Sequence, residues 1–162
     1  MKVSPIKMLK KTQELYKNLA KAKNLEVAVG LPVEKVTGKA YKNKGKGKDK
    51  TIIEVGSYHE YGIGVPKRSF LRVPLAIKER EINKELKKQF KAIIEKGKDP
   101  EKALGLVGVE AVNIIIDAFK TGGFGTWLPL SMSTIKAKKS NQILVDSAIL
   151  KNAVTSVVRN VT

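Results

Sequence analysis

Between Asp99-Pro100 and Gly122-Gly123 lies the most strongly apolar part of the chain, and it limits the fold more than any other segment. Asp99 can cap a helix that holds Pro100 at its first position and Glu101 in its first turn, and the paired glycines can end one. Within these bounds Leu104, Val107, Ala111, Val112, Ile115, Ala118 and Phe119 recur at helical spacing, joined by Leu106, Val109, Ile114 and Ile116. A helix apolar nearly all round is a buried one, so a central core helix is expected here. Its densest run, 112–119, falls well short of the roughly 20 residues that a bilayer span needs, so no membrane segment is expected. Glu110 and Asp117 share one face of this helix and read as a polar edge or an ion pair.

The other segments sort around it. Ser4-Pro5 fits a helix start, and Ile6, Leu9, Tyr16, Leu19 and Ala20 then recur at helical spacing among lysines. Residues 25–31 alternate Glu26 against Val27 and Val29 and read as a short strand stopped by Pro32. From 51 to 61 a short helix is expected, and from Phe70 a long one whose stripe is Ile82, Leu86, Phe90, Ile93 and Ile94, ended by Gly97. The loop 124–130, a short basic helix over 131–139 and a last β-branched strand after Val154 complete the chain, and that strand can pair with the one at 25–31. The fold class expected is α+β: a single domain over residues 1–162, with a long central helix pair packed on a small antiparallel sheet and a mobile basic loop.

That loop is 34–50. It carries Lys35, Lys39, Lys42, Lys44, Lys46 and Lys48 with Gly38, Gly45 and Gly47, and little that is apolar beyond Val36, Ala40 and Tyr41. Such a segment buries too little to offset its ordering entropy. Its glycines and lysines lack the Gly-Lys-Ser/Thr ending of a phosphate-binding loop, so nucleotide binding is not expected and no cofactor is assigned. Lys39, Lys42, Lys44, Lys46 and Lys48 are the candidates for contact with DNA or an acidic surface. The whole chain has 32 Lys and Arg against 15 Asp and Glu, a formal charge of +17. Two readings stay open: a well-solvated surface, or an electrostatic attraction to nucleic acid or acidic partners that weakens with salt. The absence of cysteine excludes disulfides and thiolate metal sites, and the lone His59 excludes a histidine cluster. The N-terminal residues offer no apolar core for a secretory signal, and residence in a cytoplasm is expected.

The stretch 53–72, IEVGSYHEYGIGVPKRSFLR, begins as an amphipathic segment, breaks at Gly62 and Gly64, turns through Pro66 and restarts at Phe70 and Leu71. Gly62 and Gly64 admit backbone angles closed to other residues, while Pro66 fixes one φ and drives Val65 into an extended form. The expected result is a corner of one fixed shape, with Tyr58 and Tyr61 anchoring one side and Phe70 and Leu71 the other.

His59-Glu60-Tyr61-Gly62, then Pro66, Arg68, Phe70, Leu71 and Arg72, resemble the signature of the small tail-component and virion-morphogenesis proteins of tailed bacteriophages. Ser69 stands where that family usually has proline, which is expected to loosen the corner. The resemblance extends to Leu128-Pro129-Leu130-Ser131, Thr134, Lys138, Leu144-Val145-Asp146-Ser147 and Leu150. There Ser147-Ala148 replaces the usual Thr-Gly and puts the tight turn in question. The matching segments cover about half of the chain.

The resemblance implies a structural virion protein, residing in the tail or neck and in the host cytoplasm during assembly. It would act in tail completion or head–tail joining as a ring-forming subunit, a sixfold homo-oligomer. Its partners would be the neighbouring head–tail connector and the tail-tube or terminator proteins, with nonspecific DNA contact through the channel. For such contacts Tyr61, Pro66, Arg68, Phe70 and Arg72 are the candidate interface residues, because aromatic and arginine side chains most often carry interface energy. An enzyme is not expected, since no nucleophile–base pair or metal-ligand cluster is present, and His59 beside Glu60 on a helix would point to different sides. The competing reading is a basic nucleic-acid-binding protein without catalytic activity.

Overall fold

The computed structural model describes residues 5–36, 40–41, 49–138, 143 and 148–161. Its axis is α6 (Pro100–Thr121), started by the Asp99 carboxylate, which accepts the Lys102 N–H at 3.0 Å, and closed by Gly122 at φ 65°. Ala103, Leu104, Val107, Ala111, Ile114, Ile115, Ala118 and Phe119 are all buried along it. Leu106 and Val109 are exposed, and Asp117 pairs with Lys120 at 2.8 Å. The core helix therefore keeps one wet edge.

Strand β1 (Leu25–Gly30) pairs antiparallel with β4 (Thr155–Asn160), from Leu25 opposite Asn160 to Gly30 opposite Thr155. This two-stranded ribbon packs on α6. The approach is set by Gly108, where an added Cβ would lie 2.6 Å from Ser156 Oγ and 3.1 Å from Val27 Cγ1. On the opposite parity Arg159 Nε bonds Glu26 Oε1 at 2.6 Å. Helix α5 (Glu79–Lys96), capped by Gly97 at φ 64°, is the second long helix packed on α6. The α+β architecture expected from the sequence, a helix pair on a small antiparallel sheet, is the one observed.

One local expectation is corrected. The helix after the corner is two helices, α4 (Arg72–Ile77) and α5, separated at Lys78 with φ −102° and ψ 21°. That conformation lies outside the helical basin and redirects the chain. In α1 (Pro5–Lys23) it is Ala22 that is buried, with Leu15 and Leu19 half-buried, whereas Ile6, Leu9 and Tyr16 stand in solvent. Of the basic segment expected as a mobile loop, 37–39 and 42–48 lie outside the described residues. Val33–Val36 forms a helical turn, α2, and Val36 is buried in the core. Tyr41 in β2 (Ala40–Tyr41) packs against that core, and β2 pairs with β3 (Lys50–Thr51). Lys39, Lys42, Lys44, Lys46 and Lys48 lie outside the described residues.

α3 (Ile52–Tyr61), α7 (Met132–Lys138) and α8 (Ile149–Ala153) complete the order. The main cluster joins Ile52, Phe70, Ile115, Ala118, Phe119, Trp127, Leu150, Ala153 and Val154, so it lies where α3, the corner, the end of α6 and α8 meet. Ala148 adopts φ 56° and ψ 7° before α8, so a left-handed turn is made there by alanine in place of the glycine of the resembled pattern. Among the described residues no helix is long and apolar enough to cross a membrane.

Candidate functional site

Thr51 starts α3 with a reciprocal cap: its hydroxyl accepts the Glu54 N–H at 3.2 Å, and the Glu54 carboxylate accepts the Thr51 N–H at 2.7 Å. The helix ends where Gly62 takes φ 79° and donates its N–H to the Tyr58 carbonyl at 2.8 Å. An added Cβ there would lie 3.0 Å from Lys67 Cβ, so the returning strand passes directly over the glycine. The Arg68 N–H then bonds the His59 carbonyl at 2.8 Å and brings 68–72 back beside the last turn of α3.

This return delivers a set of donors to Glu60, a carboxylate with only 4% of its surface exposed. It accepts the Ser69 hydroxyl at 2.7 Å, the Phe70, Leu71 and Arg72 N–H groups at 2.8, 3.0 and 3.2 Å, and Arg72 Nε at 3.0 Å. The three amides are those at the start of α4, where a negative charge also suits the helix end. Burial pushes the Glu60 carboxyl pKa up, but the bonds from Ser69, Leu71 and Arg72 outweigh it and hold the pKa below its ordinary value. Glu60 is the node of the corner and the residue that sequence reasoning missed. The signal was an acid spaced nine to twelve residues before a loop that starts a helix.

Ser69 tightens the corner, contrary to expectation. Its hydroxyl donates to Glu60 and accepts the Val73 N–H at 3.2 Å, two bonds that proline could not supply. Its carbonyl takes the Trp127 Nε1–H at 3.1 Å. Phe70 lies fully buried, 5.4 Å from the Phe119 ring, which in turn meets Trp127 edge-on at 5.7 Å. The loop after α6 is thereby pinned to the corner.

Of the five candidate interface residues, two turn inward. Phe70 belongs to the chain's own core, and Arg68 is 6% exposed, with its guanidinium against the Leu128 carbonyl. Phe70 is not presented to a neighbour, which corrects its expectation, and Arg68 is withdrawn from the outer face of the corner and lines a cavity instead. Tyr61 is 58% exposed, Pro66 is exposed, and the Arg72 side chain is 60% exposed with its guanidinium 4.6 Å from the Tyr61 ring centre. Ile63 and Ile77, not singled out from the sequence, are exposed as well.

Below the corner a half-open cavity of about 680 Å³ is lined by residues of both resembled segments, among them His59, Pro66, Arg68, Leu128, Ser131 and Thr134. Glu60 is engaged with 69–72 while His59 lines this cavity, so the two neighbours face different surroundings. Among the described residues no group of three or more His, Cys, Asp or Glu side chains is placed to hold a metal ion. Comparison with protein-family models, with curated proteins and with solved structures gave no match.

Proposed function

We propose that this chain is a structural virion protein of a tailed bacteriophage or prophage, a ring-forming subunit that acts in tail completion or head–tail joining at the neck. One observation carries the reading. The two stretches that bear the resemblance, 59–72 and 128–134, are far apart in sequence and meet at one place, where Arg68 reaches the Leu128 carbonyl beside a shared cavity. Glu60, Phe70 and Arg72 of the resembled signature are the residues that fix the corner's shape. A corner held this firmly presents its outer residues at little ordering cost, which suits a repeated contact between identical subunits.

The contact face in this reading is Tyr61, Ile63, Pro66 and Arg72. Replacing Tyr61→Glu together with Ile63→Glu removes two exposed apolar side chains and leaves the Glu60 bonds in place. Native mass spectrometry and negative-stain imaging of the full chain test the proposal. Sixfold rings of the wild type, and a monomeric double variant with unchanged Tm, are the expected results. A wild-type chain that stays monomeric at high concentration, or a double variant that still forms rings, contradicts it.

The charge of +17 favours a second reading, a non-catalytic nucleic-acid-binding protein. Under the first reading, duplex DNA binds weakly, without sequence preference, and is released steeply as salt rises. Tight, sequence-selective binding at physiological salt supports the second.

A further inference from the structure

Arg68 carries a buried charge that the corner itself does not neutralise. Its Nε and Nη2 reach one carbonyl oxygen, that of Leu128, at 3.4 and 3.3 Å, longer than the usual distance of about 2.9–3.0 Å. Among the described residues no carboxylate forms an ion pair with it. The buried Glu60 is instead saturated by the donors of 69–72. Burial alone draws the guanidinium pKa below its ordinary value. A guanidinium does not give up its proton in a protein, so relief of that desolvation has to come from an anion.

The space that Arg68 lines has the shape and walls for one. The cavity of about 680 Å³ is walled by Val55, Val65, Pro66, Leu130 and Leu150, and Tyr41, His59, Ser131 and Thr134 also line it. Mostly aliphatic walls around one guanidinium do not suit the broad, hydrated backbone of a nucleic acid. A planar carboxylate matches the guanidinium fork, and an aliphatic neighbour fills the walls.

We propose that this cavity is a binding site for a carboxylate carried on an apolar segment of another protein, a glutamate or aspartate flanked by aliphatic side chains, with Arg68 as its ion-pair partner. A different, acidic protein is the occupant, because a chain of charge +17 attracts acidic partners. Several of this chain's own carboxylates are also taken: Asp99 and Glu101 by Lys21, Glu85 by Lys88 and Asp117 by Lys120. The site requires no ring and stands or falls apart from the virion reading.

The test uses the full chain and an N-acetylated, C-amidated leucine–glutamate–leucine peptide, with leucine–glutamine–leucine as control, followed by NMR titration. The glutamate peptide is expected to shift the resonances of residues around the cavity and to bind at least about tenfold more tightly than the control. Arg68→Met is expected to abolish that preference with Tm at or above the wild-type value, since an apolar side chain replaces a buried charge that has no ion-pair partner among the described residues. Asp146, outside the described residues, is the chain's own rival for Arg68. A marked fall in Tm in both Arg68→Met and Asp146→Asn, with no peptide bound to the wild type, would show that the chain neutralises Arg68 itself and would overturn the proposal. Equal binding of the two peptides, or binding of neither, overturns it without reference to any variant.

Discussion

Helix α1 and the corner at 59–72 are both basic segments with aromatic and aliphatic residues at regular intervals, and they turn in opposite directions. On α1, Ile6, Leu9 and Tyr16 face solvent, and the body of the protein meets the other side, with Ala22 buried. In the corner even Arg68 is buried, Phe70 reaches the core, and the backbone is tied to a carboxylate. Apolar spacing settles that a segment is helical and leaves open which of two apolar faces is covered. A buried carboxylate leaves no such freedom, because every donor that it draws in must stay in place to repay its desolvation. The corner is thus fixed by polar satisfaction and α1 by the packing of one side.

Mutations at equivalent levels of each region should separate them. Phe70→Ala removes a fully buried ring that touches Phe119, and a loss of about 3–5 kcal/mol in urea unfolding is expected. Tyr16→Ala, at 71% exposure, should change stability by less than about 0.5 kcal/mol. A similar cost for the two would erase the contrast. Gly108→Ala comes next, since its methyl group would meet Ser156 and Val27; overpacking against the ribbon should cost about 1–3 kcal/mol. Ala148→Gly should act in the other direction, raising stability by up to about 1 kcal/mol, because alanine holds φ 56° there at a steric cost that glycine avoids. Arg72→Ala sharpens the comparison inside the corner itself. It removes the exposed end of the network and leaves Glu60 its amide and hydroxyl donors, so a loss below about 1 kcal/mol is expected by thermal or urea unfolding.

Much of the frame was legible in the sequence because its determinants are local. Asp99 with Pro100, Gly97 and Gly122 act through their own backbone angles or a bond three residues away, and the apolar density of α6 allows it only one place. The alternation at 25–30 and 155–160 likewise made the ribbon readable. The break at Lys78 was not, since the apolar stripe of α5 continues the helical spacing begun after the corner and no proline or glycine marks position 78. The role of Glu60 was hidden for a different reason. Three of its five bonds come from main-chain amides, which are the same whatever side chain stands at Phe70, Leu71 and Arg72. Arg68 was expected at an interface because arginine side chains often carry interface energy, and the structure instead buries it against the Leu128 carbonyl beside a cavity.

The central claim is that the ionised Glu60 carboxylate locks the corner, and its pH dependence tests this most directly. Its pKa lies below the ordinary 4.5 in the folded chain, so its stabilising effect is complete above 4.5 and is lost as pH falls through the folded value. Urea unfolding of the wild type and of Glu60→Gln from pH 7 down to pH 3 is the measurement. Glutamine turns an amide donor toward groups that are themselves donors, so at pH 7 the variant should be less stable by about 3 kcal/mol. The gap should narrow below pH 4.5, since only the wild type has a carboxylate to protonate. A difference under about 1 kcal/mol at pH 7, or a gap that stays constant down to pH 3, would show that the corner owes its shape to packing and not to Glu60.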